Sequence, residues 1–183
     1  MKLDVKFKYT ILCEDKLTAC FIRRFLIEQG IDKRKITPCP FSLSGCGEQY
    51  VRREFPRFLK ALRSKSFDSN VLIVVIDADT KSVEERKLQL NDSCSENSVE
   101  LRKKSDKLML FIPKRNIETW ICFFDDKKVD EETDYAHCLN GHESDCFPAA
   151  VKMCNSFKKL DFSSSLNSLN IAYNEYKFLI SLF

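Results

Sequence analysis

The alternation of apolar and polar positions along the chain predicts a series of short strands and helices. Apolar runs bounded by charged or turn-forming residues are typical of strands. Four such runs occur, at 7–13, 36–41, 71–76 and 107–112. Apolar residues that recur every three or four positions predict helices at 16–29, 47–64, 117–124, 147–159 and 166–182. Strands and helices therefore alternate, which favours an α/β fold with a mainly parallel, Rossmann-like sheet flanked by helices.

Glycine, proline and capping residues refine the ends of these elements. Gly30 is expected to cap the first helix, and the sequence SVEE at 82–85 is typical of a capping box that opens another helix. Pro56 should kink the helix at 47–64 or split it in two. Residues 91–106 are polar and weakly patterned, which predicts a loop or an exposed helix.

The chain divides into a predicted α/β core at 1–125 and a C-terminal part at 126–183. The second part begins with a charged, irregular insertion and continues with two helices, which we expect to pack on the core or on a partner. The chain ends on the apolar sequence KFLISLF, which must be covered either internally or by another subunit.

Composition and cysteine usage indicate a soluble protein of the cytoplasm. Of the 183 residues, 44% are apolar and 31% are charged, and no apolar run approaches the ~20 residues that span a bilayer. Charges interrupt the N-terminal apolar stretch, so a signal peptide is not expected. The nine cysteines form no CxxC pair and several lie within apolar runs, which predicts mostly reduced, buried thiols.

The charge is unevenly distributed along the chain. Residues 1–65 contain 15 Lys and Arg against 7 Asp and Glu, whereas the remaining residues contain 15 against 20. A basic half beside acidic segments suits a phosphate-bearing partner such as nucleic acid, although a solvated surface explains the same counts.

Three carboxylates are predicted to meet at one edge of the sheet. Glu14 follows the first strand, and Asp77 and Asp79 follow the uniformly apolar run VLIVVI, which is typical of a central parallel strand. With a period of two residues, Asp77 and Asp79 would point the same way, and ligands bind beyond the carboxyl ends of parallel strands. Mg²⁺ or Mn²⁺ would offset the repulsion among the three acids. The alternative is that the aspartates shape a turn and help to cap the next helix.

Residues 112–120, IPKRNIETW, place two cations and an acid after the last predicted strand. Lys114 or Arg115 would neutralise a phosphate, and Glu118 would add a metal ligand or activate water. Alternatively, Arg115 and Glu118 pair with each other at the start of a helix.

A glycine-containing segment precedes the second predicted helix. Backbone amides near Gly45 and Gly47, together with Ser44, are candidates for holding a phosphate, and Arg53 and Arg57 lie on the basic face of the helix that follows. The spacing matches neither a P-loop nor a dinucleotide-binding motif, so a flexible turn and a solvated face remain open alternatives.

Both histidines of the chain lie in the C-terminal insertion. His137, Cys138, His142 and Cys146 carry the donor atoms that zinc prefers, but their spacing fits no common zinc finger. No Ser-His-Asp or Cys-His nucleophile arrangement is evident, because no other histidine is present.

The combination of an alternating α/β chain, a strand ending in Glu14 and a later strand ending in Asp77 and Asp79 resembles the Toprim domain. Toprim domains serve topoisomerases, primases and OLD-family nucleases, and they hold Mg²⁺ with these acids while they break or make phosphodiester bonds. The family has glycine after the glutamate, where this chain has Asp15. The resemblance covers residues 7–125 and is closest for small, stand-alone Toprim-like proteins of bacteria.

The resemblance implies a Mg²⁺- or Mn²⁺-dependent nuclease acting on DNA or RNA, with Lys114 and Glu118 at the family's later basic and acidic positions. Some relatives work beside ATPases of the OLD or ABC kind in defence against phage, which implies an effector or accessory subunit. The alternatives are a non-catalytic Toprim-like subunit that docks on an ATPase and an enzyme that processes small nucleotides. Neither the oligomeric state nor the choice between DNA and RNA follows from the sequence.

Overall fold

In the part of the chain that the structure describes, four strands form one parallel sheet. The structure is a computed structural model, and it describes residues 2–38, 47–64, 69–137, 139 and 142–183. The strands are β1 (Lys8–Leu12), β2 (Ile36–Pro38), β3 (Asn70–Val75) and β4 (Leu108–Phe111). Their spatial order is β2-β1-β3-β4, and every neighbouring pair is parallel. The predicted parallel α/β fold is confirmed.

Six helices flank the sheet within the described residues. They are α1 (Lys16–Glu28), α2 (Gly47–Leu62), α3 (Val83–Glu96), α4 (Ile117–Phe124), α5 (Phe147–Phe157) and α6 (Asn167–Ile180). Helix α4 has the predicted bounds, since the Asn116 side chain caps it by accepting a hydrogen bond from the Thr119 N–H at 3.2 Å. None of these six helices has the length and apolar content that crossing a bilayer requires.

The helices cover both faces of the sheet. On one face, Ile73 of β3 and Phe111 of β4 belong to a core that includes buried residues of α1, α4, α5 and α6. On the other face, Leu72 and Val74 of β3 belong to a core shared with α2 and α3. Strand β3 is therefore buried on both faces, which explains why its sequence shows no polar alternation.

Helix α6 packs along β4 and buries part of the apolar C-terminal segment, whereas Phe183 at its end is 42% exposed. Tyr176 and Leu179 of α6 are buried in the core. The Glu175 carboxylate accepts a hydrogen bond from the backbone N–H of Leu110 at 3.4 Å and pairs with Arg102 at 2.7 Å. Because an edge strand exposes unpaired backbone amides, this contact helps to protect β4 from pairing with another chain.

The predicted signals at helix ends are confirmed. Gly30 has a φ of +97°, the left-handed conformation that favours glycine after a helix. The Ser82 hydroxyl accepts a hydrogen bond from the Glu85 N–H at 3.1 Å, and the Glu85 carboxylate accepts one from the Ser82 N–H at 2.7 Å. This capping box opens α3 and fixes the direction in which α3 leaves the β3 edge.

The structure decides between alternatives at two places. Helix α2 continues through Pro56, so the helix is not split in two at this proline. Helix α3 extends to Glu96, so the helical alternative holds for the first part of the polar segment 91–106. Cys94 on this part is fully buried, so tertiary packing compensates for the weak sequence pattern.

Among the cysteines that the structure describes, Cys122 departs from the expected reduced state. Cys94, Cys146 and Cys154 are buried and form no disulfide. Cys122, which is also buried, takes part in a disulfide. The prediction of reduced, buried thiols therefore holds for these three residues and is wrong for Cys122.

Candidate metal centre at the carboxyl edge of the sheet

The strand order creates a crevice between the two central strands. Strand β2 lies to one side of β1 and β4 lies to the other side of β3, so the direction of winding reverses between β1 and β3. In open α/β sheets, ligands bind at this reversal, beyond the carboxyl ends of the strands. Glu14 lies two residues after the end of β1, and Asp77 lies two residues after the end of β3. The sheet topology therefore brings these two acids to the place where a ligand is expected.

Glu14 and Asp77 are in direct contact through the backbone. The Glu14 Oε1 atom accepts a hydrogen bond from the backbone N–H of Asp77 at 2.7 Å. Burial raises the pKa of Glu14 from its ordinary value of 4.5 to about 7, and the charges of Asp79 and Asp15 add to this effect. The N–H of Asp77 and the charge of Arg86 act in the opposite direction. Burial thus outweighs the local hydrogen bond, and Glu14 is a carboxyl that resists ionisation.

Asp77 has the most unfavourable electrostatic environment at this edge. Burial raises its pKa well above the ordinary range, and the strongest charges acting on it are those of Glu14, Glu118, Asp15 and Asp79. All four are negative, so charge repulsion adds to the effect of burial on this carboxylate. Such an arrangement is typical of a site that holds a cation or a proton.

Asp79 does not extend the strand, which corrects one argument made from the sequence. Strand β3 ends at Val75, and Asp79 has a φ of +54° in the left-handed region. Its N–H donates to the carbonyl of Arg115 at 3.2 Å, and its Oδ2 accepts from Arg86 at 2.9 Å. The strand-like alternation assumed for Asp77 and Asp79 is therefore wrong. Asp79 still lies close enough to raise the pKa values of Glu14 and Asp77, so the three acids share one region.

Arg86 and Glu48 are parts of this region that the sequence analysis missed. Arg86 of α3 is 1% exposed, and its guanidinium pairs with Asp79 and with Glu48 in the first turn of α2. A signal was present, because Val83, Arg86 and Leu90 follow the helical spacing of the buried face of α3. An arginine at a core-facing position indicates a buried ion pair.

Gly47 has a structural role that differs from the predicted phosphate contact. A Cβ atom at Gly47 would lie 2.7 Å from the Cβ of Glu14 and 3.0 Å from the Glu14 carbonyl oxygen. The start of α2 therefore packs directly against the Glu14 backbone, and only glycine allows this approach. The other two residues of the predicted phosphate-binding segment, Ser44 and Gly45, lie outside the described residues.

We predict that Gly47→Ala lowers the free energy of unfolding by about 1–3 kcal/mol, the usual cost of overpacking a tight contact. The added methyl group must displace backbone atoms of Glu14, which cannot rotate away as a side-chain end would. Chemical denaturation of both proteins measures the difference. Ala61→Gly, near the other end of the same helix, is the control for altered helix propensity, and equal stability of Gly47→Ala and wild type would contradict the packing argument.

Glu118 and Asp15 add negative charge to the same edge. Glu118 is in the first turn of α4, where burial raises its pKa and Asp15 and Asp134 add to the shift. Asp15 caps α1 by accepting a hydrogen bond from the Thr18 N–H at 2.8 Å. Its backbone is extended, with a φ of −147°, so this position does not need the glycine found in Toprim domains. No described ion pair joins Glu118 to Arg115, so the predicted alternative of a simple pair at the helix start is wrong.

The predicted cations divide into two groups. Lys114 and Arg115 follow β4 at the acidic edge, where Lys114 lies 4.0 Å from Glu132 and the Arg115 carbonyl supports Asp79. Arg53 and Arg57 are exposed on α2, and both pair with Glu54. Arg57 also lines a cavity of about 150 Å³ beside Asn70, the first residue of β3. Arg57 therefore lies near the amino end of β3, away from the acids.

The acidic residues fit a divalent cation in chemistry but are not already arranged around one. Among the described residues, no three His, Cys, Asp or Glu side chains form a ready coordination group. Glu14 and Asp77 offer the hard oxygen donors that Mg²⁺ prefers, and the surplus negative charge favours a cation. Shared coordination requires that their side chains rotate toward a common point.

The histidines and cysteines of the insertion give no support to a zinc site. His137 is exposed, whereas Cys146 is buried and donates its thiol hydrogen to the Glu143 carbonyl at 2.9 Å. Burial raises the pKa of Cys146 to about 12, which disfavours the thiolate that zinc binds. Cys138 lies outside the described residues.

In structural terms, the chain is an α/β protein with a Rossmann-like parallel sheet and an acidic cluster at its topological switch point. Comparison with protein-family models, curated proteins and solved structures found no match to this chain. Its function must therefore be argued from the chemistry of the described residues.

Proposed function

We propose that this protein is a Mg²⁺- or Mn²⁺-dependent phosphodiesterase that acts on nucleic acid, with a Toprim-like catalytic core. The observation that carries the proposal is the Glu14–Asp77 contact at the switch point of the sheet, where the strongest charges acting on Asp77 are all negative. A partly buried group of acids without a cation is costly to fold, and a bound divalent ion would reduce that cost.

The side chains at this edge have separable roles in such a reaction. Glu14 and Asp77 would hold the ion, and Asp79 would add charge from the Arg86 side. When bound, the ion would polarise a phosphoryl oxygen and lower the pKa of the attacking water. Glu118, whose pKa is raised by burial, would orient and deprotonate that water. Lys114 would offset the charge that develops on the phosphate.

A second candidate is a non-catalytic subunit that retains the fold. The observation that favours it is the lack of a preassembled group of three metal ligands among the described residues. The apolar C-terminal segment gives this candidate less support than the sequence suggested, because α6 is buried against the protein's own core. For either candidate, we also propose that the protein works with an OLD- or ABC-type ATPase in defence against phage.

The full chain, incubated with Mn²⁺ or Mg²⁺, is expected to cleave a DNA or RNA substrate and to lose all cleavage in EDTA. Single-stranded and double-stranded forms of both polymers, together with mononucleotides, should be assayed in parallel by gel electrophoresis and chromatography. Cleavage of mononucleotides alone would indicate a small-substrate enzyme. Saturable Mn²⁺ binding would favour an enzyme, whereas the absence of both Mn²⁺ binding and cleavage would favour the non-catalytic subunit.

A further inference from the structure

Arg86 occupies an unusual position for an arginine. It is 1% exposed, and it lies between the start of α2 and the loop after β3. Its Nη2 donates to Asp79 Oδ2 at 2.9 Å and to the Ala78 carbonyl at 3.4 Å, and its Nη1 pairs with Glu48 and with Gln89 Oε1 at 2.9 Å. One guanidinium therefore connects two helices and the acidic loop.

Stability of the core does not by itself account for this arginine. A buried guanidinium is costly to desolvate, and apolar side chains often replace buried ion pairs without loss of stability. In addition, the buried Nε of Arg86 has no hydrogen-bond partner. The desolvation cost and the unpaired Nε are explained if the guanidinium is needed to hold the acids that it contacts in position.

The contacts of Arg86 separate the acids into two groups. Asp79 and Glu48 form ion pairs with it, whereas no described ion pair joins it to Glu14 or Asp77. The Asp79 side chain is 56% exposed, so contacts other than the Arg86 guanidinium restrain its carboxylate little. The backbone of Asp79 lies in the left-handed region. Loss of the guanidinium would free Asp79 to rotate toward solvent or toward Asp77.

We propose that Arg86 is a positioning residue for the cation site, acting through Asp79 and Glu48. Its planar fork holds the Asp79 carboxylate by Oδ2, which fixes the position of the negative charge that Asp79 adds to the site. The same fork ties the start of α2 to this loop through Glu48. Because Gly47 at the start of α2 contacts Glu14, Arg86 also restrains the Glu14 side of the site. This inference rests on the proposed function, because it concerns the same site and its cation.

Two explanations of Arg86 predict opposite effects on cation affinity. If Arg86 acted only through its charge, Arg86→Met would remove a positive charge near the acids and tighten Mn²⁺ binding. If Arg86 positions Asp79, Arg86→Met should weaken Mn²⁺ binding by about 10-fold or more, as changes to residues that orient metal ligands do. Arg86→Lys should also weaken binding, because lysine keeps the charge but cannot bridge Asp79 and Glu48 as a fork.

Isothermal titration of the full-length protein with MnCl₂ measures these affinities, and metal-free thermal melts check that each variant is folded. Arg52→Met is the matched control, because Arg52 pairs with Glu48 at 2.9 Å and forms no ion pair with Asp79. The proposal requires weaker Mn²⁺ binding in Arg86→Lys and near wild-type binding in Arg52→Met. It also requires that Arg86→Lys weaken Mn²⁺ binding less in an Asp79→Asn background than in the wild type, because only the route through Glu48 remains there.

Unchanged or tighter Mn²⁺ binding in Arg86→Lys would overturn the positioning role while leaving the proposed function intact. If Arg86→Met fails to fold, Arg86→Lys decides the question, since it retains the buried charge. A wild-type protein that binds no Mn²⁺ would overturn both the positioning role and the proposed function.

Discussion

Asp77→Asn is expected to abolish metal-dependent cleavage while leaving the fold intact. The substitution removes a carboxylate from the centre of the acidic edge and preserves the size and shape of the side chain. Loss of one electrostatic group at a reacting centre costs about 10²–10³-fold in rate, and loss of a direct ligand should cost at least that much. Initial rates of cleavage in saturating Mn²⁺ measure the effect.

The same variant should be at least as stable as the wild type without metal. All the strongest charges acting on Asp77 are negative, so a neutral side chain relieves repulsion at neutral pH. Asp92→Asn, on the exposed surface of α3, is the matched control and should change neither activity nor stability. Wild-type cleavage by Asp77→Asn would eliminate Asp77 from the mechanism.

Glu14→Gln should stabilise the metal-free protein at pH 8 by an amount on the order of 2 kcal/mol, and should have little effect at pH 4. The raised pKa of about 7 means that the folded protein retains a proton on Glu14 that the unfolded chain has already released. The contribution of Glu14 to the free energy of unfolding therefore falls as pH rises from about 4.5 to about 7, and then levels off. Glutamine cannot ionise, and its Oε1 can still accept the hydrogen bond from Asp77.

Denaturant titrations of both proteins between pH 4 and pH 8 test this prediction. Glu96→Gln, at the exposed end of α3, controls for the loss of one negative charge. In saturating Mg²⁺ at pH 8, the wild type should become more stable than Glu14→Gln, because ion binding stabilises the wild type more than the variant. A difference in stability that is constant across the pH range would contradict the raised pKa of Glu14.

The fold could be predicted from the sequence because local and global signals agree. The run at 71–76 is uniformly apolar, and the structure buries β3 on both faces. The capping box at Ser82 and Glu85 marks the start of α3 in both sequence and structure. The sequence left alternatives open where tertiary packing outweighs local preference, as in the polar second half of α3 and at Pro56 inside α2.

The candidate site could be predicted only in part. Residues that follow strand ends were identifiable, because parallel strands bring Glu14 and Asp77 to one edge. The orientation of Asp79 could not be predicted, because its left-handed backbone depends on hydrogen bonds to the loop after β4. Similarly, Glu48 and Arg86 are 38 residues apart in sequence and lie on different helices, so no local pattern specifies their contact.

The most direct test of the shared cation site is the anomalous difference density of crystals soaked in MnCl₂. The account predicts one strong manganese peak that contacts a carboxylate oxygen of Glu14 and one of Asp77, and its loss in Asp77→Asn crystals. A wild-type crystal with no manganese between these two side chains at saturating concentration would contradict the account.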